Sequence, residues 1–591
     1  MLKTSSPYIK YLYETKINWH PFTASTLNKS IMENKMIFIH LGNLLNVEER
    51  EAAHSLFCSN KIHEILNGSF ISIAIDSEDI PEATIVGLDL IMMNEKKTTP
   101  ALNILTLPNG RPFTSFSTLD ENECLYLLGN AVNAFKNKKR ALNTAAEYMT
   151  IRLKNSGIIL HKHPVEEIKA KILHLYVRRW QYKILEYNRH TAQNEYIIRP
   201  RFILFLLAYA IYYKDTELLE RIKKRALEMV YSPMIDPIDG GVFLRSEDYA
   251  LHKPTFEKSL TENAQSALLY SMLYKQFNCP VFRHAAHKTI DFIENELKEN
   301  NSTAYRLGVT INRKDSSKSL YYQYSLKDIK EAFPNDYERI SGCIGIDCSL
   351  PETELQLPHN TETTMLLTDT ELSILKSVRQ KNAGELWQDK RCITAYNSIY
   401  SIVLGIISKG KCGCDSMLTR AGNIIDNILS KREDDSLKIY RYISNEKDEY
   451  SMGDLHDYSM LLLALLINYK ITGNKVYMSH IKQYATYIFL NYYQASNGMF
   501  SETSEYEQRT PYKRESVIDY TRYSGNSIMA GCLLWLHNIT GEPLYLNAFR
   551  QQISNISEEL PDGGPFMVGW ALQILNYIIY CSQKEQSCHR N

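Results

Sequence analysis

Residues 240–264 read GGVFLRSEDYALHKPTFEKSLTENA, a stretch that joins a glycine pair to the start of a helix. Glu257 and Lys258 stand in the first turn of this predicted helix. Later helices in the chain also begin with a polar or charged cluster and continue as apolar runs. If these helices lie side by side and parallel, their unpaired first-turn N–H groups and their polar clusters meet at one end. The stretch therefore predicts a helical barrel with a polar site at one end.

The spacing of the turns supports a repeated two-helix unit. Apolar helices recur in pairs, and consecutive turns lie about 63 to 68 residues apart, except for one gap of about twice that length. The gap has room for one more pair and for an irregular insertion at about residues 300–385. With a pair before the first turn the count is about six, which predicts an α/α toroid. The turns lie at Lys214-Asp215, Asn278-Cys279-Pro280, Gly410, Thr472-Gly473 and Thr540-Gly541.

Hydrophobic patterning separates inner from outer helices. Phe202–Tyr213 and Met460–Ile467 are apolar on all sides, as expected of inner helices covered on both faces. Glu217–Glu228 keeps a charged face and is predicted to lie outside. Within the insertion, Tyr322–Phe333 predicts a short strand, a Ser325 cap and a helix.

The first 120 residues have a different pattern, typical of an α/β domain. Strands are predicted at Met36–Gly42, Phe70–Asp76 and Pro100–Leu107, with helices at Thr26–Glu33 and Val47–Leu66 between them. This order is thioredoxin-like. We therefore expect a multidomain α/β plus all-α protein. A thioredoxin-like domain over residues 1–120 precedes a six-hairpin barrel over residues 121–591.

Composition excludes several classes of function. Lys+Arg and Asp+Glu both number 67, so the formal net charge is zero and electrostatics favour neither nucleic acid nor an anionic membrane as a partner. The longest apolar run, Phe202–Tyr213, is too short to span a bilayer. Eleven dispersed cysteines and a first segment that does not look like a signal peptide favour a reducing, cytoplasmic setting.

Several motifs resemble one known family. The segment SPYIKYLYETKINWHPF, followed by MIFIHLG, IDSEDIPE and TTPALNILTLPNGRPF, resembles the opening of the thioredoxin-domain proteins of the YyaL and spermatogenesis-associated type. Thr99-Pro100 matches the cis-proline position of a thioredoxin fold. GGVFLRSED, PTFEKSLTENAQ, DKRCITAYNSIY, GDLHDYSMLLLALL and YSGNSIMAGCLL match further family motifs in the right order. The resemblance implies a glycosidase-like and sugar-epimerase-like six-hairpin barrel after the thioredoxin-like domain.

The chain departs from that family at chemically important positions. Asn46 to Glu49, NVEE, stand where the family carries Cys-His-Trp-Cys, so both thiols are replaced. Thiol–disulfide exchange needs an attacking and a resolving thiol, so we expect a redox-inactive domain. In the barrel, Thr255 replaces a family histidine and Tyr396 a family tryptophan. These replacements leave a shared catalytic mechanism open.

Ten residues at or near the helix starts are the candidate site. Paired carboxylates suit glycoside hydrolysis, and histidine suits the proton transfers of an epimerase. Each residue also has a structural alternative, as a helix cap, a salt-bridge partner or a buried core histidine. The catalytic candidates are Glu257, Asp389, His456 and Asp457, and the substrate-binding candidates are Arg245, Lys258, Lys390, Asn397, Tyr458 and Asn526.

Two functions follow from these observations. The first is a carbohydrate-active or sugar-binding protein with an epimerase-like or glycosidase-like site in the barrel. The second is a non-catalytic scaffold that binds a ligand or a partner. The first function implies a small-molecule sugar ligand, and the second leaves the ligand or partner open. The sequence indicates no metal site and no cofactor, and it does not specify a protein partner.

Overall fold

The computed structural model describes residues 6–95, 102–185, 196–311, 320–383, 386–431, 437–443, 451–504, 510–520 and 522–588. These residues form two compact units. The first takes in the chain as far as Leu160 together with 501–516, and the second takes in most of the remainder. The first unit therefore extends beyond residue 120, the boundary expected from the sequence, and includes two helices that follow it.

The first unit is built around a five-stranded mixed sheet. The strand order is β1-β3-β2-β4-β5, with β1, β3 and β2 parallel and β4 and β5 antiparallel to their neighbours. The strands are β1 Trp19–His20, β2 Met36–Gly42, β3 Phe70–Asp76, β4 Leu102–Thr106 and β5 Pro112–Phe116. The helices are α1 Pro7–Leu12, α2 Ala24–Glu33, α3 Val47–Cys58, α4 Asn60–Ser69, α5 Pro81–Glu95, α6 Glu121–Asn137 and α7 Lys139–Asn155.

This sheet confirms the thioredoxin-like expectation, with one correction. Strands β2 and β3 have the bounds that the apolar runs predicted. The helix expected over Val47–Leu66 is two helices, because Ser59 has an extended backbone with φ −63° and ψ 132° and ends α3. The Thr99-Pro100 bond lies outside the described residues.

A segment from late in the chain completes the core of the first unit. Tyr512 is buried in the same apolar cluster as Leu90 and Leu153. Thr510 donates to a Glu82 carboxylate oxygen across 2.6 Å. Beside them, the buried Arg514 donates to the Leu153 carbonyl across 2.9 Å. The chain therefore leaves the barrel after residue 500, contributes to the first unit, and returns to the barrel at residue 517.

The second unit is a ring of helices with a second layer outside. Six inner helices contact one another in sequence, and the last contacts the first, so the ring is closed. The inner helices are α9 Pro200–Tyr213, α11 Leu260–Phe277, α16 Thr394–Ser408, α18 Leu455–Thr472, α20 Gly525–Thr540 and α22 Val568–Cys588. The outer helices are α8 Ala170–Leu185, α10 Thr216–Val230, α12 Pro280–Phe292, α17 Asp415–Ser430, α19 Lys475–Tyr492 and α21 Pro543–Ser557.

Five of the six pairs are hairpins whose turns lie where the sequence predicted. The sixth pair joins α8, the first helix of the ring in sequence, to α22, the last. The extra pair expected between residues 278 and 410 is therefore absent from the ring as described. Since each outer helix returns the chain to the same side, the inner helices run parallel. We call the end where they begin the N-terminal mouth.

The long gap instead holds an inserted subdomain. Its helices are α13 Leu326–Ala332, α14 Tyr337–Cys343 and α15 Asp369–Ala383, which share a core that includes Ile238, Tyr324 and Leu375. Ser325 caps α13 in a capping box, as predicted. The short strands of this unit are β6 Tyr196–Ile197, β7 Arg245–Ser246, β8 Lys258–Ser259, β9 Gly308–Thr310, β10 Trp387–Asp389, β11 Tyr493–Gln494 and β12 Met499–Phe500.

No helix in the described part of the chain combines the length and the apolar content that a bilayer span requires.

Candidate functional site

Two predicted ligand-binding asparagines have a structural role in the barrel. The Asn397 side-chain oxygen accepts the Tyr305 N–H across 2.8 Å, and its amide donates to the Tyr305 carbonyl across 2.9 Å. Asn526 binds the N–H and the carbonyl of Phe500 in the same way, both across 2.8 Å. Asn263, which the sequence did not single out, repeats the arrangement on Val242. Each asparagine fixes the segment leading to an inner helix.

Glu257 and Arg245 form a buried ion pair. The Arg245 Nε donates to the Glu257 carboxylate, which also accepts from the Thr255 hydroxyl across 3.1 Å. Phe256, which lies between Thr255 and Glu257, has a φ of 60°, a left-handed backbone that is uncommon outside glycine. Such strain persists only where the surrounding structure holds it. Both predicted residues thus lie beside the start of α11, bound to each other.

Lys258 lies in a buried, aromatic-lined ion-pair network. Its Nζ donates to Asp236 across 2.8 Å and to the Gly240 carbonyl across 2.7 Å. Arg379 of the inserted subdomain binds both Asp236 oxygens, at 2.8 and 2.9 Å. Burial favours a neutral Asp236, but Arg379 and Lys258 together hold its pKa well below the ordinary value. Lys258 therefore joins the insertion to the barrel, and its own pKa is lowered by burial.

Asp389 and Lys390 differ in exposure although they are adjacent. The Asp389 carboxylate is buried and accepts from the Arg391 Nε across 2.9 Å and from the Arg391 backbone N–H across 3.1 Å. Lys390 is exposed. The acid thus bonds to the arginine two residues later, and the lysine lies at the surface.

Asp457 binds the starts of two adjacent inner helices. Its Oδ1 accepts the Ala395 N–H of α16 across 3.0 Å, and its Oδ2 accepts the Asp454 N–H of α18 across 3.1 Å. Arg441 also donates to Oδ2, across 3.0 Å. Asp454 in turn accepts the Asp457 N–H, which completes a capping box. Asp457 thus makes the contacts of a helix cap, and these contacts reach the starts of two helices.

Asp519, which no sequence motif singled out, makes the same kind of contact at the next pair of inner helices, α20 and α22. Its Oδ1 accepts the Ser524 N–H at the cap of α20 across 2.7 Å, and its Oδ2 accepts the Gly569 N–H in α22 across 2.6 Å. Arg201, at the start of α9, donates to the Asp519 carbonyl across 3.2 Å. Buried carboxylates and arginines thus connect neighbouring helix starts around the N-terminal mouth.

His456 is a predicted site residue with one ring nitrogen, Nε2, that makes no hydrogen bond within the described residues. Its side chain is fully buried, and the Arg522 guanidinium donates to Nδ1 across 3.2 Å. Because a guanidinium can only donate, Nδ1 must carry the lone pair, and the ring proton is on Nε2. Among the described residues, Nε2 has no hydrogen-bond partner. An unsatisfied buried donor costs about 1–3 kcal/mol.

The charges around His456 keep it neutral. Burial lowers its pKa well below the ordinary value, and the positive charges of Arg522, Arg441 and Arg201 lower it further, against the pull of Asp454. Arg522 also donates to Asp454 across 2.9 Å. A neutral imidazole with its proton on Nε2 acts as a hydrogen-bond donor towards a ligand.

The pKa values of the two carboxyl groups of the capping box are shifted in opposite directions. Burial raises the pKa of Asp457 to about 7, an effect that Arg441 opposes and Asp454 reinforces. For Asp454, Arg522 and Arg441 outweigh burial and hold the pKa below its ordinary value. Burial likewise raises the pKa of Asp519 to about 6. The mouth thus places arginines, which are always charged, beside buried carboxyl groups whose pKa values are raised or lowered by their surroundings.

The Tyr458 hydroxyl is hydrogen-bonded to the backbone. The hydroxyl accepts the Ile439 N–H across 3.1 Å, and the ring stacks on Tyr487 with centroids 5.2 Å apart. No group of three histidine, cysteine, aspartate or glutamate side chains in the described ranges could hold a metal ion.

The sequence missed most of the arginines that pair with these acids. Of the partners at the helix starts, only Arg245 was singled out. Except for Arg391, whose partner Asp389 is two residues away, they bond to groups distant in the chain, as Arg522 does to Asp454, and no local spacing reveals such pairs. The missed residues are Arg201, Arg379, Arg391, Arg441 and Arg522.

Comparison with known proteins gives matches over both units. The family model Thioredox_DsbH, described as a protein of unknown function, DUF255, matches residues 1–154. Spermatogenesis-associated protein 20 of Rattus norvegicus is 20% identical over 634 residues, which cover 95% of this chain and 79% of that protein. The Homo sapiens protein of the same name is 20% identical over 655 residues, which cover 99% and 82%.

Solved structures that resemble the chain include two sugar epimerases. One, from a ruminal bacterium, has a TM-score of 0.46 and 10% identity and covers 70% of this chain and 98% of its own. Cellobiose 2-epimerase from Bacillus thermoamylovorans B4167 has a TM-score of 0.45 and 11% identity, with 68% and 96% covered. The family model thus matches the first part of the chain, and the similarity to spermatogenesis-associated protein 20 extends over nearly the whole of it.

Proposed function

We propose that the barrel binds a small sugar at its N-terminal mouth, beside His456 and Arg522. The observation that carries the proposal is the buried Nε2–H of His456, which has no acceptor among the described residues. Sugar hydroxyl and carbonyl oxygens are acceptors of the required kind. The parallel inner helices add the positive ends of their dipoles at the same place.

Catalysis at this site would use Asp457 as the proton-transfer group. Its pKa of about 7 suits a general acid or base at neutral pH. Both its oxygens, however, already accept backbone N–H groups, so it would have to exchange a partner during the reaction. His456 offers a donor, and its lone pair is occupied by Arg522.

The second candidate function is sugar binding without turnover. The pairing of the three predicted catalytic carboxylates with arginines favours it: Glu257 bonds to Arg245, Asp389 to Arg391 and Asp457 to Arg441. The two functions differ in one observable. Sugar recovered from D2O after incubation with the protein carries deuterium at a ring carbon after epimerisation and none after binding alone.

The test of binding is the shift of the melting temperature with mono- and disaccharides. A ligand at one hundred times its Kd stabilises the folded protein by about 2.7 kcal/mol, a shift that is readily measured. We expect His456→Gln to lose the shift and His161→Gln, an exposed control, to keep it. If no sugar moves the wild-type melting temperature, the proposal is wrong.

A further inference from the structure

The formal net charge of zero conceals an uneven distribution of charge in the first unit. Residues 136–154, from the end of α6 into the last turn of α7, contain six cationic side chains and one acid, Glu147. Five of the cations are exposed, and the sixth is half-buried. This segment is therefore a strongly basic part of the surface. Its cations are Lys136, Lys138, Lys139, Arg140, Arg152 and Lys154.

The first turn of α7 carries cations where acids are favoured. The helix begins at Lys139, follows Lys138 as its N-cap residue and continues with Arg140. Lys138 makes no side-chain capping hydrogen bond, and the first turn contains no acid. The free N–H groups of a helix start carry partial positive charge, so cations there are repelled. The arrangement does not stabilise the helix, and it concentrates positive potential at this end of α7.

One face of α7 is exposed from end to end. Arg140 and Lys154 lie on it about 21 Å apart, at the helical rise of 1.5 Å per residue. Between them lie Tyr148 and Ile151, which are 59% and 53% exposed although both are largely apolar. These residues follow one another at intervals that place them on one side of a helix. The opposite side is buried in the first unit through Leu142, Ala146, Met149 and Leu153.

Neighbouring side chains extend this surface. Arg111, just before β5, donates to the side-chain oxygen of Asn143 in α7 across 3.1 Å and so adds a further cation beside the helix. The Arg152 guanidinium lies over the Tyr148 ring, 5.5 Å from its centroid. Charged and apolar groups are thus in contact here. We call the exposed side of α7, together with the cations of residues 136–140, the basic face.

Charge complementarity requires a polyanionic partner, and the exposed apolar side chains narrow the choice. Nucleic acid would neutralise the cations, but it offers no aliphatic layer for Ile151. A bilayer that contains anionic lipids offers both anionic head groups and an apolar layer beneath them. Tyrosine is favoured at the boundary between the two, and lysine and arginine can keep their charged ends among the head groups. A lipid surface therefore satisfies every group of the basic face.

We propose that the basic face docks the protein on an anionic lipid surface, with α7 parallel to the plane of the bilayer. Tyr148 and Ile151 enter the boundary between head groups and acyl chains, as the apolar side of an interfacial helix does. The cations at the two ends of α7 contact the anionic head groups. This binding is peripheral, and it is separate from the sugar binding proposed for the barrel.

The experiment is co-sedimentation of the intact protein with lipid vesicles. Vesicles of phosphatidylcholine mixed with phosphatidylserine are compared with vesicles of phosphatidylcholine alone. We expect binding at least about 10-fold tighter to the anionic vesicles, and weaker binding as salt is raised, because exposed charges are screened. No binding to the anionic vesicles, or equal binding to both kinds, would overturn the proposal.

The triple variant Lys138→Gln/Lys139→Gln/Arg140→Gln assigns the binding to the basic face. One cation beside an anionic lipid surface raises the affinity about 5-fold, so we expect the loss of three to weaken binding roughly 100-fold. Binding that survives the triple variant unchanged would overturn the assignment. All three side chains are exposed, so the variant should fold. If it does not, the comparison of lipids on the wild-type protein still decides the question.

Two further variants complete the test. Lys275→Gln/Lys409→Gln/Lys475→Gln is the matched control, because it removes the same charge from exposed positions of the second unit and should bind like wild type. Tyr148→Ser/Ile151→Ser should weaken vesicle binding at least about 3-fold, since less apolar surface enters the bilayer. Unchanged binding by this double variant would show that α7 does not enter the lipid boundary.

Other polyanions are measured at the same salt concentration, with a single-stranded oligonucleotide and with polyglutamate as the probes. If either binds the wild-type protein more tightly than the anionic vesicles do, the basic face serves nucleic acid or an acidic polypeptide, and the lipid proposal is overturned. None of these outcomes affects the melting test with sugars, so the two proposals succeed or fail separately.

Discussion

The Nδ2 of Asn46 donates to the Oε2 of Glu49 across 2.7 Å. The sequence resemblance aligns these two positions with the thiols of a Cys-His-Trp-Cys motif. The Asn46 side-chain oxygen also accepts the Glu49 N–H and caps α3. A hydrogen-bonded cap thus occupies the start of this helix, and neither position carries a thiol.

We therefore expect no thiol–disulfide exchange by the first unit, because neither an attacking nor a resolving thiol is present at these positions. An insulin-reduction assay checks this, with a thioredoxin as the positive control. Turnover above the background rate would contradict it. The double variant Asn46→Cys/Glu49→Cys tests how far the replaced pair alone accounts for the loss.

Asp457→Asn should destabilise the protein by about 3 kcal/mol, the order expected when one member of a buried ion pair is removed. Asparagine keeps one oxygen but turns an NH2 group towards the donors that Asp457 now binds, from Ala395 or from Asp454 and Arg441. Chemical denaturation measures the change in the free energy of unfolding.

Asp415→Asn is the control for that substitution, because Asp415 is exposed in the first turn of α17 and should change stability by less than about 0.5 kcal/mol. If Asp457→Asn is as stable as this control, the double cap described for Asp457 does not hold the two helices.

His456 should make folding sensitive to mild acid. Its pKa is well below 6.5 in the folded protein and near 6.5 in the unfolded chain, so only the unfolded chain gains a proton as the pH falls below 6.5. Its stabilising contribution is present above pH 6.5 and decreases below it, by up to about 1.4 kcal/mol per pH unit. The groups acting on the imidazole are Arg522, Arg441, Arg201 and Asp454.

The measurement is the difference in unfolding free energy between wild type and His456→Gln from pH 7.5 to pH 5. The difference between the two proteins is used because Asp457 and Asp519 act in the opposite direction. Their pKa values are raised, so their contribution to the stability of the folded protein decreases as the pH rises. His40 acts in the same direction as His456, since burial lowers its pKa to about 4, but it is present in both proteins. Parallel curves for the two proteins would show that His456 does not titrate as described.

Each of the three asparagines that bind the N–H and carbonyl of one backbone residue should contribute substantially to stability. Asn263→Ala, Asn397→Ala and Asn526→Ala each leave a buried N–H and carbonyl without partners, so we expect losses of about 2–4 kcal/mol in unfolding free energy. Asn133→Ala, on the exposed face of α6, is the control and should have little effect. Equal stability of these variants and the control would refute the structural role and reopen a ligand-binding one.

Local patterns predicted the ring because its elements are local. The turns at Lys214 and Gly473 have left-handed backbones that end their helices, and the apolar run of α18 follows from burial on all sides. The sixth pair was missed because α8 and α22 lie at opposite ends of the barrel sequence. Periodicity carries no information about that closure.

The helix starts that carry the candidate residues were predictable, and the contacts of those residues were less so. The polar run before the apolar segment placed His456 and Asp457 at the start of a helix, where the structure has them. Their partners Arg441 and Arg522 come from the segments before α18 and α20, and the sequence contains no spacing rule for such pairs. The balance between ligand binding and capping at Asp457 depends on those partners, so it could not be read from the residues alone.

Residues 501–516 belong to the first unit, and this decides where the chain can be divided. Tyr512 and Arg514 are buried among residues of the thioredoxin-like unit, and the chain continues directly to Asp519 and Arg522 in the mouth. A gene fragment encoding residues 161–591 alone would leave those two side chains without their surroundings. A cut at residue 160 would therefore divide the first unit itself, because its core includes a segment that the chain supplies only after residue 500.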